Sequence, residues 1–230
     1  MTSTEEPSHA GSRSARARSA ILRATADLLD ELGVAAMTIE EVAARAGAGK
    51  ATIYRRWPSK GALVMDAIMA EIGGAGPFPD RGSVVEDFRV QLRSAARVFN
   101  RPRVRRMFIG VIYEAQDNPE LREAFLVRYL NPRRVHAREA IRRGIARGEL
   151  RPDFDDDVLF DQILGAFYIR MLVIGSPLDR QFTDELISQV FPGVQSRVRQ
   201  PRPTAAPARN LERRRSGLVQ RAAGDGPTQL

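Results

Sequence analysis

Between Arg45 and Lys60 the chain places five basic residues, Arg45, Lys50, Arg55, Arg56 and Lys60, and no acid. The wider stretch 19–66 is balanced, six against six, so these bases are concentrated rather than merely abundant. Clustered cations neutralise phosphates, and duplex DNA favours that by releasing condensed counterions. Other chemistries are poorly provided for. There is no cysteine, so no disulfide, thiolate zinc site or thiol nucleophile is available. The two histidines, His9 and His136, accompany no nucleophile signature such as G-x-S-x-G. The phosphate-cradling patterns G-x-x-x-x-G-K-[ST] and G-x-G-x-x-G are absent. Asp155, Asp156 and Asp157 form a carboxylate run, but at a helix start three acids serve capping and dipole compensation. No catalytic residue, metal ligand or cofactor is assigned, and an enzyme is not expected.

The basic residues ride on two short helices. Thr38 and Glu41, three apart, make a capping box, and Met37 with Val42 is placed for a hydrophobic staple. A helix then runs from Ile39 to about Ala46, with Ile39, Val42, Ala43 and Ala46 on one apolar face. Gly47, Ala48 and Gly49 interrupt it, the length a helix-turn-helix corner requires. A second helix spans about Lys50 to Trp57, and Pro58 forbids its continuation. Ile53 and Trp57 face inward, while Lys50, Thr52, Tyr54, Arg55 and Arg56 lie largely outward. Ser59 can cap a further helix, GALVMDAIMAEI, whose first turn includes Lys60. Upstream, Ile21, Leu22, Thr25, Leu28, Leu29 and Leu32 form the stripe of a first helix that ends at Gly33 and packs behind the corner. A solvated helical hairpin with a chance arginine cluster would share the corner; box, turn length, proline stop and charge together favour docking on DNA.

Ala43, Ala46, Gly47, Ala51 through Lys60, Ala62 and Leu63, in the pattern AxxAGxxxATIYRRWPSKxAL, resemble the DNA-binding domain of the TetR family of bacterial transcriptional regulators. The resemblance is strong over about 15–70 and continues more loosely to about 195 as a similar helical layout. It implies a homodimer, a three-helix DNA-binding domain, and a C-terminal domain that binds a small ligand and releases DNA. By position, Thr52 and Tyr54 match residues that contact bases and backbone from the recognition helix, and Lys60 matches a phosphate-contacting lysine. Arg55 and Arg56 fall where reading or phosphate-contacting residues vary between members. Gly49 departs from the serine frequent in the family, a cap weaker by about a few tenths of a kcal/mol, and receives no role. The expected DNA-contacting set is Lys50, Thr52, Tyr54, Arg55, Arg56 and Lys60.

The remaining chain fits an all-α class: no alternating strand pattern of useful length and no internal repeat is present. Its 230 residues suffice for a substantial core. Residues 1–13 read as a disordered head, followed by Arg13, Arg16 and Arg18, which either run along DNA as a basic arm or stay solvated. The DNA-binding domain takes 14–72. GGAGPFPDRG at 73–82 marks a linker, and the preceding helix is placed to bridge both parts. A ligand-binding and dimerisation domain, 83–194, holds helices at about 83–99, 102–115, 119–130, 132–147, 156–174 and 181–191, with a kink or stop at Asn131-Pro132. Residues 195–230 read as a disordered tail, and from 197 onward it contributes a net +6 of the chain's +8. High overall basicity is therefore poor evidence for DNA binding. The longest apolar run, Ile163 to Gly175, is thirteen residues and contains Arg170, too short for a membrane span. With no secretory apolar segment at the N-terminus, the expected compartment is cytoplasmic.

Helix 156–174 is apolar nearly all round, which requires cover on more than one side. In a chain this size a second subunit is the natural cover, through Phe160, Leu164, Tyr168, Phe182, Leu186 and Val190. Arg170 is then a rim charge, an interface ion-pair partner or a ligand contact. The ligand pocket follows from the resemblance alone; Phe108, Ile112, Tyr113, Phe125, Tyr129, Phe167 and Met171 are its candidates. Expected partners are double-stranded operator DNA, a second copy of the chain and a small-molecule effector of unidentified chemistry, with no membrane. The alternatives are a coating protein that binds DNA without sequence preference through its basic tail, a ligand-free or activating family member, and a helical small-molecule enzyme or binding protein with an incidental corner.

Overall fold

The computed structural model describes residues 9–74 and 76–196; the expected head at 1–8 and the tail beyond 196 lie outside the described residues. Helix α1 (His9–Ala36) starts inside the stretch 1–13 read as the head. Its helical geometry breaks at Gly33 (φ 78°, ψ 174°), a backbone setting that residues with a Cβ avoid. Ile21, Leu22, Thr25, Leu28 and Leu29 are buried as the stripe requires, but Leu32, in the last regular turn, stays 45% exposed.

Helix α2 (Ile39–Ala46) carries the capping box in full: Glu41 N–H donates to Thr38 Oγ1 at 3.2 Å, and Thr38 N–H to Glu41 Oε2 at 2.9 Å. Met37 and Val42, the staple pair, are completely buried. Gly47 ends the helix in the left-handed region (φ 61°). Helix α3 (Lys50–Arg56) is one residue shorter than expected, because Trp57, ahead of Pro58, is already extended. Ile53 and Trp57 are its buried anchors. Helix α4 (Lys60–Ile72) is capped by Ser59, whose hydroxyl accepts from Ala62 N–H at 3.1 Å.

The C-terminal body comprises α5 (Val84–Phe99), α6 (Pro102–Glu114), α7 (Pro119–Phe125), α8 (Asn131–Ala146), α9 (Asp156–Tyr168) and α10 (Arg180–Val190). Among the described residues the only β feature is an isolated bridge between Leu150 and Gln195, so the class is all-α. Helix α4 is buried almost throughout because α1 covers one side while α6 and α7 cover another. The described residues through Ser196 form one unit, so the 73–82 linker separates functions rather than independent bodies.

Asn131-Pro132 neither stops nor simply kinks the chain. Helical structure continues from Pro119 to Ala146 through a π-helical segment, Leu126–Leu130, in which Asn131 N–H bonds Leu126 O, five residues back. Pro132 has no N–H to offer, and the preceding turn takes up the lost bond by slipping one register. A second π-helical segment, Ile169–Ile174, follows α9 and ends at Gly175 (φ 77°).

Candidate nucleic-acid interface and effector cavity

The outward face of α3 presents Lys50, Tyr54, Arg55 and Arg56, with Thr52 half-buried beside them. Tyr54 is 51% exposed, an unusual position for a tyrosine with no partner to cover it. Arg55 makes no ion pair among the described residues. Lys50 Nζ lies 2.7 Å from Glu40 Oε1 on α2, and this hydrogen bond raises the lysine pKa and lowers that of the acid. Arg56 turns back toward α1: its guanidinium donates to Ser14 Oγ at 2.6 Å and Ser14 O at 3.2 Å. Lys60 Nζ donates to Ala35 O at 3.2 Å, pinning the start of α4 to the end of α1. Arg56 and Lys60 thus also hold α1. Arg18 lies inside α1 and pairs with Asp66 at 3.5 Å, so that arginine is not an extended arm.

Asp66, which sequence reasoning passed over, joins three elements. Its carboxylate accepts from the Trp57 indole Nε1 at 2.9 Å and from Arg128 Nη1 at 2.6 Å, besides the Arg18 pair. The end of the recognition helix is thus tied through α4 to the π-helical segment of the C-terminal body. An acid in the middle of the apolar helix GALVMDAIMAEI was the available signal.

A cavity of about 140 Å³ lies between α5, α9 and the segment 126–133. Phe88, Leu92, Ala95 and Phe99 of α5 face Phe160, Ile163, Leu164 and Phe167 of α9; Tyr129 and Arg133 form a third wall, and Gly74 and Phe78 of the linker close one side. Of the seven candidates, Tyr129 and Phe167 line it. Phe108 sits one layer behind the wall, packed on Phe99 at 4.7 Å and Tyr129 at 4.9 Å between ring centres. Phe125 stacks on Tyr129, Met171 is buried in the core, and Ile112 packs against it from the edge; none of the three lines the cavity. Tyr113 is 76% exposed on α6 and belongs to no interior. Burial pushes both the Tyr129 and Tyr168 phenols up, Tyr168 well above its ordinary value with the neighbouring Tyr129 adding to the effect. The Tyr168 hydroxyl is buried near Tyr129 but completes no hydrogen bond. The α5 lining, spaced four, three and four apart, was readable as an inward stripe; Arg133 gave no signal.

Of the six expected interface residues, Phe160 is buried and Leu164, Tyr168, Phe182, Leu186 and Val190 are half-buried within the single chain. Phe160 and Leu164 line the cavity, and Phe182, Leu186 and Val190 pack partly buried against the core. Arg170 is used within the chain, donating to Pro177 O at 2.9 Å and lying 4.5 Å over the Phe182 ring. The apolar groups that α9 and its π-helical extension leave exposed are Val158, Ile169, Val173 and Ile174, with Val173 at 74%. Periodicity on an all-round apolar helix does not say which side meets the core. Asp155, Asp156 and Asp157 bring carboxylate oxygens within 4.8 Å of one another, yet each is engaged. Asp155 caps α9, and Asp156 and Asp157 pair with Arg138 and Arg134 at 2.9 Å.

Two family matches divide at the linker. Residues 21–67 match the family described as bacterial regulatory proteins, tetR family, and residues 78–190 match the tetracyclin repressor-like, C-terminal domain. The HTH-type transcriptional regulator YdeS of Bacillus subtilis is 36% identical over 177 residues, covering 77% of this chain and 89% of that protein. The HTH-type transcriptional regulator AqdR of Rhodococcus erythropolis is 28% identical over 207 residues, covering 87% and 98%. The crystal structure of the TetR family transcription regulator SCO0332 superposes with a TM-score of 0.63 at 37% identity, covering 78% of this chain and 98% of that one. Among the described residues no helix is long and apolar enough to cross a membrane. Because the similarity runs through both the capped corner and the helices that carry it, the chain belongs to the TetR family and is a DNA-binding transcriptional regulator.

Proposed function

We propose that the chain works as a homodimeric repressor in the cytoplasm, released from its operator when a small molecule occupies the cavity. The observation that carries the DNA half is the exposed Tyr54 and Arg55 on a helix whose turn, caps and buried anchors are all in place. Each subunit sets α3 in a major groove, with half-sites about one helical turn, roughly 34–36 Å, apart or a multiple of it. Lys60 and Tyr54 contact phosphates and fix the register; Thr52, Arg55 and Arg56 reach base edges. Lys50 exchanges Glu40 for phosphate as the complex forms, and Arg56 gives up Ser14 to reach the groove.

The second subunit covers the face left by Val158, Ile169 and Val173, with the outer edges of Phe182, Leu186 and Val190 alongside. This reading keeps α10 in the interface and moves the α9 contribution away from Phe160, Leu164 and Tyr168. The role is one of binding rather than catalysis, supported by a corner shaped for docking and a mainly apolar cavity. The test is selection of bound duplexes from a random pool by the chain truncated after Ser196, near physiological salt. Recovery of a palindrome with two half-sites supports the specific dimer. A folded dimer that recovers no consensus refutes it and moves attention to the basic tail.

A further inference from the structure

The cavity walls are mainly apolar. Arg133 is the single cation among the lining residues, and Gln91 and Ser94 are the neutral polar side chains that α5 contributes. Its guanidinium lies 3.8 Å over the Tyr129 ring and donates to two backbone carbonyls, Tyr129 O at 3.0 Å and Gly74 O at 3.5 Å. It makes no ion pair with a carboxylate among the described residues, whereas Arg134, its neighbour in sequence, pairs with both Asp157 and Asp161. The second bond is long and weak, so the fork retains donor capacity. A half-buried guanidinium set against aromatic walls favours a planar, bidentate anion over any neutral group. The cavity is small beside ordinary ligand sites, which restricts the body of such a molecule to a compact apolar group.

The same wall leads out of the cavity. Arg128 and Tyr129 are adjacent in the π-helical segment: one lines the cavity, and the other donates to Asp66 of α4, which also holds the Trp57 indole. A π-helical register differs from the α register by one residue, so a local change there moves both side chains together.

We propose that the effector is a compact apolar carboxylic acid whose carboxylate pairs with Arg133, and that its seating is transmitted through segment 126–130 and the Arg128–Asp66 pair to Trp57. This inference rests on the cavity being the effector site. Gln91 and Ser94 are the other polar side chains lining the cavity, and the buried, unbonded Tyr168 hydroxyl lies near Tyr129.

The test uses the full chain with octanoate and 4-phenylbutyrate, each compared with its primary amide, in titrations followed by calorimetry and by emission of Trp57, the chain's single tryptophan. The acids are expected to bind about tenfold to a hundredfold more tightly than the amides. Arg133→Gln is expected to abolish that preference while melting at nearly the wild-type temperature. Amides that bind as well as acids, or no saturable response to either acid at millimolar concentration, overturn the assignment of the class without needing a variant. Arg128→Ala is expected to bind the acids normally while losing the Trp57 response; a variant that keeps the response overturns the route. Anisotropy of a selected operator duplex, measured without any acid, separates these outcomes from failure of the regulator reading. Operator binding that is intact in a protein indifferent to acids refutes only the effector chemistry, and absent operator binding refutes the regulator.

Discussion

Asp66 offers the sharpest test of how the recognition helix is held. Asp66→Ala removes the acceptor of an indole N–H that cannot reach water, since Trp57 is only 1% exposed. An unsatisfied buried donor costs about 1–3 kcal/mol. Arg128 and Arg18 retain 35% and 49% of their side-chain exposure, so both guanidiniums rehydrate, and each lost pair costs about 0–1 kcal/mol. Asp66→Ala is therefore expected to lower stability by about 1–5 kcal/mol. Asp66→Asn keeps an oxygen for the indole and gives up only the charge, for about 1 kcal/mol. The difference between the two variants isolates the indole bond. Urea unfolding followed by far-UV circular dichroism reads it as a shift in midpoint at constant slope, with Trp57 emission as a second probe. Equal midpoints for the alanine and asparagine variants would show that the indole does not depend on Asp66, and the account of α3 as anchored through α4 would be wrong.

Ile169→Asp places a charge in the exposed apolar face of the proposed dimer; the variant is expected to sediment as a folded monomer and lose operator affinity, and persistence of the dimer would move the interface elsewhere. Asp184 is held below the ordinary carboxylate range chiefly by its two bonds from Arg93, at 2.8 and 2.6 Å. A depressed carboxyl stabilises fully above its unfolded pKa of about 3.9 and loses that contribution as pH falls through the lower folded value. Asp184→Asn should therefore flatten the acid limb of the stability profile below about pH 4, and an unchanged limb would exclude Asp184 as a source. Helix propensity alone would make Gly144→Ala stabilising by about 1 kcal/mol. The new Cβ would lie 2.9 Å from both Cβ and Cγ1 of buried Val84, and overpacking of about 1–3 kcal/mol reverses the sign. A melting temperature above wild type would show that α5 and α8 can separate freely there.

The DNA-reading corner was legible because its rules are local. Thr38, Glu41, Gly47, Pro58 and Ser59 each fix backbone through a neighbour within four residues, and every one of those caps is present. Helix α9 was legible as an element and not as an orientation. An amphipathic helix announces its inward face, whereas one with Phe160, Leu164, Ile169 and Val173 around it is apolar on every side. Only packing assigns Phe160 and Leu164 inward and leaves Ile169 and Val173 exposed. The cavity was less legible still. Phe108 and Tyr129 are both large aromatic residues at helical spacing, and whether one fills the core or lines a void depends on a shift of one layer. The π-helical register at 126–130 has no sequence signature beyond Pro132.

That register also bears on how much an effector must accomplish. A hundredfold loss of operator affinity requires about 2.7 kcal/mol of coupling, or about half of that in each of two subunits. The Arg128–Asp66 pair, partly exposed at both ends, is worth about 0–1 kcal/mol and cannot supply it alone. Helix α4 meets the body along its length, however. Gly61 N–H donates to Glu120 at 3.2 Å near its start, Asp66 holds the middle, and Arg101 Nη2 donates to Glu71 O at 2.5 Å near its end. Helix α1 adds Asp27–Arg103 and Asp30–Arg106, both at 2.7 Å. Two or three such contacts changing together reach the required scale, and they change together only if α4 shifts as a rigid rod. Binding at Arg133 should then displace the whole of α4 slightly rather than bend it, and operator DNA should weaken acid binding by the factor with which the acid weakens operator binding.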